Sequence, residues 1–282
     1  MKIKLIRTQK TLSRTPLTLA SYIINPYRGC EFGCKYCYAR YNKNVKEDIL
    51  GIKINIPQVL EKELKYIKVD KVILGGSCEC FTYSELKYKI TYRILEILNE
   101  HNISYIILTK SNLIEKYLSL IQKNKDNKIF FTFNFAQEDT KRILEEKSPS
   151  LEARIKAIKR IKEKGIRFRI HIGPFIPYVS QLDNIFSLFK DIAYKINIEL
   201  YHYRLGNFPQ VIESLKTFDF DEEKIKKLIS IYENKDNFYN FSEQFKEEIL
   251  KKAKNFNFKI YYIVPQWEGY YNQDINYERC LF

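Results

Sequence analysis

The sequence has no long apolar run, and this lack excludes one class of protein at the outset. No uncharged stretch approaches the roughly 18 apolar residues that a membrane span needs. The first ten residues, MKIKLIRTQK, are interrupted too often by lysine and arginine for a signal peptide. We therefore expect a cytoplasmic protein.

The sequence also lacks Gly/Ser linkers, internal repeats and low-complexity blocks. Its composition, 45% hydrophobic and 29% charged, is that of a globular protein without a bias toward disorder. One large core is plausible, since α/β barrels of about this length often form a single domain. A second independent domain is therefore not expected.

Positive charge is in excess and unevenly distributed. The chain carries a net charge of +14, and residues 1–60 hold eleven Lys and Arg against three Asp and Glu, or +8 of that total. Basic patches concentrate phosphate-bearing ligands, which favours a polyanionic partner. The same excess is also compatible with solvated helix faces, so both interpretations stay open.

Short apolar runs alternate with amphipathic segments, a pattern typical of βαβ units and a parallel sheet. The predicted strands are Ala20–Asn25, Lys71–Gly75, Ser104–Thr109, Ile129–Asn134, Arg167–Ile172, Ile196–Tyr203 and Lys259–Val264. The predicted helices are Pro57–Ile67, Glu85–Asn99, Asn112–Lys123, Leu151–Lys164, Leu182–Lys190, Asp221–Tyr232 and Ser242–Lys254. For the helix that starts at Leu151, Ser150 is the predicted N-cap and Gly165 the predicted C-terminal stop.

Three of the six cysteines lie within eight positions, in the segment NPYRGCEFGCKYCYAR after the first predicted strand. Clustered cysteines in an intracellular chain indicate metal or redox ligands more than disulfides. Thiolates from Cys30, Cys34 and Cys37 would satisfy three irons of a [4Fe-4S] cluster and leave the fourth iron open. An electron-transfer ferredoxin would supply a fourth cysteine at a matching spacing, and none stands nearby. The spacing therefore predicts a redox enzyme.

Two other interpretations of the cysteines stay open. Cys34 and Cys37 could form a zinc site with Cys78 and Cys80, although this leaves Cys30 unused. The three clustered cysteines could also be buried structural thiols. Glycines between them favour a loop folded tightly around an object.

The Cys-x3-Cys-x2-Cys spacing, with aromatic Tyr36 before the last cysteine, resembles the radical S-adenosylmethionine (radical SAM) superfamily. The match narrows to the subfamily similar to spore photoproduct lyase, a light-independent DNA repair enzyme. It covers residues 20–180 and is carried by NPYRGC with CYAR, LTK ending at Lys110, FTFN ending at Asn134, EEKSPSLEARIKAI from Glu145 to Ile158, and PFIP, Pro174–Pro177.

The resemblance implies an α/β fold, with a partial (β/α)6 TIM barrel in residues 1–205. Residues 206–282 would be a helical and aromatic C-terminal extension packed on the same domain. S-adenosylmethionine would chelate the open iron, and a reduced cluster would cleave it to a 5′-deoxyadenosyl radical that abstracts hydrogen from the substrate. A flavodoxin or ferredoxin would donate electrons, and the enzyme would be a lyase or transferase.

The resemblance also implies cofactor contacts. Gly75 and Gly76 would let the backbone approach the methionyl amine, and Lys110 would pair with its carboxylate. Tyr36 belongs to the cluster motif. Each of these residues also fits an ordinary role, the glycines in a strand-to-loop turn and the lysine on a solvated surface.

Polar residues alternate with apolar ones on two later strands and predict a polar face inside the barrel. Thr132 and Asn134 lie between phenylalanines, and Asn134 could bind a ribose or carboxylate or be a satisfied core amide. Arg169 and His171 are expensive to bury without polar partners. They are predicted either to contact the cofactor or to form a structural network.

A cysteine after the second strand donates a hydrogen atom in spore photoproduct lyase, and Cys78 and Cys80 lie in this region. Many relatives carry Thr-Asp-Pro-Tyr-Gln-Pro where this chain has CECFTY, although Glu85 is retained. The two thiols are therefore candidate hydrogen donors, with a redox disulfide or inert burial as alternatives. Cys280 is predicted to be a bystander.

Nucleic acid is the leading substrate class, because the first 60 residues are strongly basic. The aromatic tail, with Trp267, Tyr270, Tyr271 and Tyr277, could stack on unpaired bases or pack as a C-terminal cap. A peptide, a tRNA or a small metabolite is the alternative substrate. A non-catalytic zinc or electron-carrier protein is the remaining class.

Overall fold

The computed structural model describes residues 1–15, 17–41, 45–46, 48–203, 207–267 and 279–281. Contacts group the chain into two compact units. The first unit comprises Met1–Gly33, Ala39–Phe131 and Lys147–Phe168, and the second comprises Cys34–Tyr38, Thr132–Glu146 and Arg169–Phe282. The second unit thus joins part of the predicted barrel with the predicted extension, and the boundary at residue 205 stays a prediction.

Both units contain strands and helices. The strands are β1 (Lys2–Ile6), β2 (Ser13–Arg14), β3 (Tyr22–Ile24), β4 (Tyr27–Arg28), β5 (Ile49–Lys53), β6 (Lys71–Leu74), β7 (Ser104–Thr109), β8 (Lys128–Thr132), β9 (Arg167–Phe175), β10 (Lys195–Leu200), β11 (Lys259–Ile263) and β12 (Arg279–Leu281). The α-helices are α1 (Ile56–Leu64), α2 (Glu85–Tyr88), α3 (Ile90–Glu100), α4 (Leu118–Ile121), α5 (Glu138–Glu145), α6 (Leu151–Glu163), α7 (Leu182–Phe189), α8 (Phe208–Thr217), α9 (Glu222–Ile231) and α10 (Lys235–Phe256). Two 3-10 helices span Tyr38–Tyr41 and Asn112–Tyr117.

Parallel strands in the order β3, β6, β7 and β8 form the main sheet of the first unit, and β2 pairs antiparallel with β3. The apolar residues of β6 are completely buried, as expected for a parallel strand covered on both faces. Ile24 pairs with Leu74, and Leu74 pairs with Ile107. The carboxyl ends of these strands therefore lie side by side, and the loops that follow them are neighbours.

A small sheet in the first unit supports the start of the cysteine segment. β5 pairs parallel with β1 and antiparallel with β4, immediately before Cys30. Gly29 adopts a φ of +85°, and a Cβ there would lie 2.7 Å from the Ile49 carbonyl oxygen. Only glycine lets the chain leave β4 against β5 in this way.

In the second unit, β9, β10 and β11 run parallel, and β12 pairs antiparallel with β11. His171 pairs with Asn197, which pairs in turn with Tyr261. The backbone N–H of Phe133, just beyond β8, donates to the carbonyl of His171 at 2.9 Å. Both units thus show the predicted α/β character with mostly parallel strands.

The predicted helix Glu85–Asn99 is wrong as a single helix. Lys89 adopts a left-handed φ of 50° and separates α2 from α3. The break lets the buried Glu85 carboxylate accept the backbone N–H groups of Thr91 and Tyr92, both at 3.0 Å, at the start of α3. In place of one continuous helix, α3 therefore has its own N-terminus, and the Glu85 carboxylate accepts two of its free backbone N–H groups.

Other boundaries also differ. Asn112–Lys123 is a 3-10 helix followed by α4, β8 ends before Asn134, β9 continues to Phe175, and α10 begins at Lys235. The sequence patterns missed α5, α8 and the strands of the small sheet. Ser150 is confirmed as the cap of α6, since its Oγ accepts from Ala153 N at 3.3 Å, and Gly165 has a φ of +65°. None of the helices within the described residues combines the length and the apolar character of a transmembrane span.

Candidate active site

The cysteine segment lies on a loop stabilised by local hydrogen bonds. Cys34 is buried, and Cys30 and Cys37 are half-buried. The Cys37 N–H donates to the Cys34 carbonyl at 3.1 Å, and Arg40 Nη1 donates to the Gly33 carbonyl at 2.8 Å. The first bond closes a turn from Cys34 to Cys37, and the second closes the longer segment from Gly33 to Arg40 around it.

The donor set suits an iron-sulfur cluster. All three cysteines are present as thiols, and Gly29 and Gly33 both adopt left-handed conformations between or beside them. Over the described ranges, no three His, Cys, Asp or Glu side chains gather as a single metal ion requires. A cubane differs from such a site because each thiolate binds a different iron.

The segment after β6 is hydrogen-bonded to the segment that carries Cys30. Asn25 Oδ1 accepts from Ser77 N at 2.9 Å and from the Cys78 thiol at 3.7 Å. The Asn25 carbonyl accepts from Lys53 Nζ at 2.7 Å. Asn25 is the first residue of NPYRGC. It therefore links the cysteine segment to the loop that carries the predicted hydrogen-donor thiols.

Two carboxylates strengthen this connection. Glu31, next to Cys30, accepts from Ser84 N at 2.8 Å, from Ser84 Oγ at 3.0 Å and from the Thr82 hydroxyl. The buried Tyr27 hydroxyl donates to Glu85. No local sequence pattern indicates either bond, because the partners stand more than 50 positions apart.

Cys78 and Cys80 are both buried thiols, and Cys80 is completely inaccessible. Burial, then a hydrogen bond with Cys78, raise the pKa of the Cys80 thiol well above its usual range. Cys80 therefore keeps its hydrogen at neutral pH. The structure brings the two candidate thiols together.

Glu79, between these cysteines, is a buried carboxylate that the sequence analysis missed. Its Oε1 accepts from the Thr109 hydroxyl at 2.6 Å and from Phe81 N at 3.0 Å, and its Oε2 accepts from Lys110 N at 3.1 Å. Burial raises the pKa of Glu79, and the three hydrogen bonds oppose that rise. Lys110 follows β7 and is half-buried, at the predicted end of the strand.

Close packing explains why glycine occupies the two positions after β6. At Gly75, with a φ of +88°, a Cβ would lie 2.7 Å from the Leu108 carbonyl oxygen and 3.1 Å from Cys80 Sγ. At Gly76 it would lie 2.0 Å from a terminal carbon of Ile23. The ordinary turn interpretation thus has direct support, and cofactor contact by either glycine stays a prediction.

In the second unit, Tyr36 and Asn134 meet at a buried carboxylate, Glu145. The Tyr36 hydroxyl donates to Glu145, and Asn134 Nδ2 donates to Tyr36 Oη at 2.8 Å and to Glu145 Oε1 at 3.1 Å. Asn134 Oδ1 accepts from Gly173 N at 2.8 Å. The network orients both predicted residues, and Thr132 is buried at the end of β8. The sequence signal for Glu145 was its place at the start of EEKSPS.

Arg169 and His171 each have a polar neighbour on β10. Arg169 Nη1 donates to Asn197 Oδ1 at 3.3 Å, and its guanidinium carbon lies 4.1 Å from the Tyr261 ring centroid. His171 Nε2 lies 3.6 Å from Glu199 Oε2, and burial raises the pKa of Glu199 to about 7. The predicted structural network therefore exists, and cofactor contact stays a prediction.

Trp267 packs within the second unit. Its ring centroid lies 4.5 Å from that of Tyr203 and 5.7 Å from that of Phe238. These contacts favour the C-terminal cap over base stacking for this residue. Tyr270, Tyr271, Tyr277 and the side chain of Cys280 lie outside the described residues.

Comparisons with known proteins identify the family and the fold. A protein of Methanocaldococcus jannaschii described as uncharacterised is 29% identical over 245 residues, which cover 82% of this chain and 93% of that protein. A cysteine-to-serine variant of spore photoproduct lyase superposes with a TM-score of 0.70 at 14% identity, over 92% of this chain and 81% of the other. Another variant, with bound AdoMet and dinucleoside spore photoproduct, gives a TM-score of 0.60 at 15% identity, over 78% of this chain and 67% of the other.

At such identities the solved structures show the fold alone, an α/β fold with mostly parallel strands, as predicted. The family is shown by the sequence itself. Residues 24–187, more than half of the chain, match the model described as the Radical SAM superfamily. The chain belongs to this superfamily of enzymes, which use a [4Fe-4S] cluster and S-adenosylmethionine.

Proposed function

We propose that this radical SAM enzyme abstracts hydrogen from a nucleic-acid substrate and that Cys78 or Cys80 returns a hydrogen atom to the substrate radical. The observation that supports this proposal most is a hydrogen-bond network. It joins the thiol loop, the segment after β6 that carries Cys78 and Cys80, to the segment that carries Cys30. In this step one S–H bond breaks, one C–H bond forms, and a thiyl radical remains on the cysteine.

The chain has residues suited to hold the cofactors. Cys30, Cys34 and Cys37 would each bind one iron and leave the fourth for S-adenosylmethionine. When bound and reduced, the cluster supplies the electron that cleaves S-adenosylmethionine to methionine and a 5′-deoxyadenosyl radical. The residues that we propose to contact S-adenosylmethionine are Tyr36, Gly75, Gly76, Lys110, Thr132, Asn134, Arg169 and His171.

Two features of the thiol pair suit hydrogen donation. The raised pKa of Cys80 keeps the thiol protonated, and an S–H bond is weak enough to yield its hydrogen to a carbon radical. Burial of both thiols limits competing reactions with solvent. Cys78 retains 8% exposure and Cys80 none, which favours Cys78 as the direct donor.

Charge supports nucleic acid as the substrate class. Residues 1–60 hold +8 of the +14 net charge, and phosphates are the polyanion that such a surface would bind. The solved spore photoproduct lyase variant carries a dinucleoside photoproduct, and we extend that substrate class to this chain as a proposal. Radical SAM enzymes need a reductant, and we propose a flavodoxin or ferredoxin.

The radical step is tested by anaerobic reconstitution with iron and sulfide, reduction with dithionite and chromatography for 5′-deoxyadenosine. The wild type should form this product and Cys34→Ala should not. Cys78→Ala is the matched control, because it removes a neighbouring thiol that binds no iron in the proposal. Loss of product in both variants alike would contradict the separation of cluster and hydrogen-donor cysteines.

The hydrogen-donor role is tested with mixed-sequence single-stranded oligonucleotides in deuterated buffer. Thiol hydrogens exchange with solvent, so a thiol donor should place carbon-bound deuterium in the oligonucleotide. Cys78→Ala should abolish this incorporation while 5′-deoxyadenosine still forms. Undiminished incorporation in both Cys78→Ala and Cys80→Ala would refute the thiol role, and no incorporation in the wild type would refute hydrogen donation by a thiol to a nucleic-acid radical.

A further inference from the structure

Glu79 occupies an unusual position between the two candidate hydrogen-donor thiols. Its carboxylate is buried, and its two oxygens accept three hydrogen bonds, from the Thr109 hydroxyl, Phe81 N and Lys110 N. Phe81 belongs to the thiol loop after β6, whereas Thr109 and Lys110 lie where β7 ends. One side chain therefore links the two loops.

Burying a carboxylate costs free energy, so packing alone does not explain a glutamate at this position. Desolvation of a carboxylate costs several kcal/mol unless good hydrogen bonds compensate it. Three hydrogen bonds at 2.6–3.1 Å give such compensation and also fix geometry. An apolar side chain could fill the volume, but it could not hold the backbone N–H of Lys110.

We propose that Glu79 is a positioning residue that holds the Cys78 and Cys80 thiols and Lys110 in fixed relation at the ends of β6 and β7. The inference rests on the proposed function, in which the thiols meet the substrate radical and Lys110 meets the cofactor carboxylate. In this proposal Glu79 contacts protein groups, namely the Thr109 hydroxyl, Phe81 N and Lys110 N. It acts through the two loops that it joins.

Packing around Gly75 leaves little room for the thiol loop to shift. The absent Cβ of Gly75 would stand 2.7 Å from the Leu108 carbonyl oxygen, 3.1 Å from Cys80 Sγ and 3.2 Å from the Cys78 carbonyl oxygen. One end of the loop therefore packs closely against β7, and the other end is hydrogen-bonded through Glu79 to the residues where β7 ends. Such double attachment is what precise hydrogen transfer requires, since small misplacements lower rates steeply.

Glu79→Gln is the direct test. Glutamine offers one acceptor oxygen in place of two, so its NH2 group would face the Lys110 N–H or another donor. Thr109→Val is the second variant, because it leaves the carboxylate and removes the hydroxyl that donates to Glu79 and accepts from Ser111 N at 2.9 Å. Thr109→Ser keeps the hydroxyl and should rescue the Thr109→Val defect.

Glu63→Gln is the matched control. Glu63 Oε2 accepts from Thr11 N at 3.0 Å and Leu12 N at 2.9 Å, so it also bonds two backbone N–H groups in the first unit. It makes none of its hydrogen bonds to the thiol loop or to Lys110. A general loss of stability would follow either substitution, but a loss specific to the site would follow only changes at Glu79 and Thr109.

The measurements are made on anaerobically reconstituted enzyme with matched iron content. The first is the rate of iodoacetamide alkylation at Cys78 and Cys80, resolved by mass spectrometry, and the second is the Kd for S-adenosylmethionine. Glu79→Gln and Thr109→Val should each raise the alkylation rate and the Kd about tenfold, as expected for one lost hydrogen bond. Thr109→Ser and Glu63→Gln should remain within about twofold of the wild type.

The results also separate this inference from the proposed function. If Glu79→Gln and Thr109→Val both keep wild-type alkylation rates, or if Glu63→Gln raises them equally, Glu79 does not position the thiols. If Lys110→Gln leaves the Kd unchanged, the cofactor role of Lys110 is wrong. In that case accelerated alkylation in Glu79→Gln would still support the positioning of the thiols.

Discussion

At the scale of single residues, Gly75 and Gly165 show when a left-handed glycine is irreplaceable. Both have positive φ, but an added Cβ at Gly75 meets backbone oxygens at 2.7 and 3.2 Å, whereas one at Gly165 meets no atom within 4 Å. Gly165→Ala should lower the free energy of unfolding by about 1 kcal/mol, the cost of the backbone conformation alone. Gly75→Ala should lower it by about 3 kcal/mol, because overpacking is added.

Urea denaturation of both variants measures this difference. The comparison holds the sign of φ constant and changes only the space around the Cβ. Equal losses for the two variants would mean that the strand end relaxes around Gly75, and the packing explanation of this glycine would then fail.

Glu199 gives a pH prediction at the same scale. Burial raises its pKa from 4.5 to about 7, so between these values the folded protein holds a proton that the unfolded chain has released. The free energy of unfolding should therefore fall as pH rises from 4.5 to 7 and level off above. Glu199→Gln should remove this contribution and be more stable than the wild type by about 2 kcal/mol at pH 8.

The check is urea denaturation of wild type and Glu199→Gln at pH 5 and pH 8. The difference between the two proteins cancels the titrating groups that Glu199 does not contact, whereas His171, whose Nε2 lies 3.6 Å from Glu199 Oε2, is coupled to it and contributes to the same difference. A difference that is the same at both pH values would show that the carboxyl titrates normally.

At the residue scale, sequence patterns singled out the motif residues but not the side chains that bind them, and the roles of the motif residues stay predictions. Tyr36 and Asn134 were predicted from a spacing and an alternation, but Glu145, which binds both, stands 109 positions from Tyr36. The same holds for Glu79 with Thr109, 30 positions apart. A buried carboxylate selects its partners in space, and local periodicity carries no information about them.

At the scale of secondary-structure elements, the start of α3 depends on one carboxylate. Glu85 accepts from Thr91 N, Tyr92 N and Tyr117 Oη, each at 3.0 Å, and from the Tyr27 hydroxyl. Glu85→Ala leaves four donors without this acceptor, and we expect a loss of about 4 kcal/mol in the free energy of unfolding.

Ser150→Ala in α6 is the control for that variant. The Ser150 side chain accepts the ordinary N-cap bond from Ala153 N, so its removal should cost about 1 kcal/mol. Thermal or urea denaturation compares the two. A cost for Glu85→Ala no larger than that for Ser150→Ala would show that water replaces the carboxylate at the start of α3.

Elements were predictable where the signal was local. The run that forms β6 is apolar and bounded by polar residues, and the Ser150 cap marks α6 in the sequence alone. β1 and β5 were missed because their pairing joins residues 2–6 to residues 49–53, which no local pattern reveals. The break at Lys89 was missed because lysine seldom adopts the left-handed conformation found there.

At the scale of the whole molecule, basic residues that contribute to the net charge of +14 lie in two different local environments. Lys2, Lys4 and Arg7 are exposed on and just after β1, in the segment that carries most of the excess charge. Lys224, Lys226 and Lys227 on α9 lie within 4.0 Å of the carboxylates of Asp221, Glu222 and Glu223, respectively. Both sets contribute three charges, but α9 carries its own counter-charges.

Replacing each set by glutamine therefore separates net charge from local charge. Because bound phosphates release counterions, the slope of log K against log salt should fall by about 2 when Lys2, Lys4 and Arg7 are replaced. The α9 triple variant, with the same net charge, should keep the wild-type slope. Fluorescence anisotropy with a single-stranded oligonucleotide over a range of salt concentrations measures both. Equal slopes for the two triple variants would show that binding follows total charge, and the basic N-terminal segment would lose its assigned role in contacting nucleic acid.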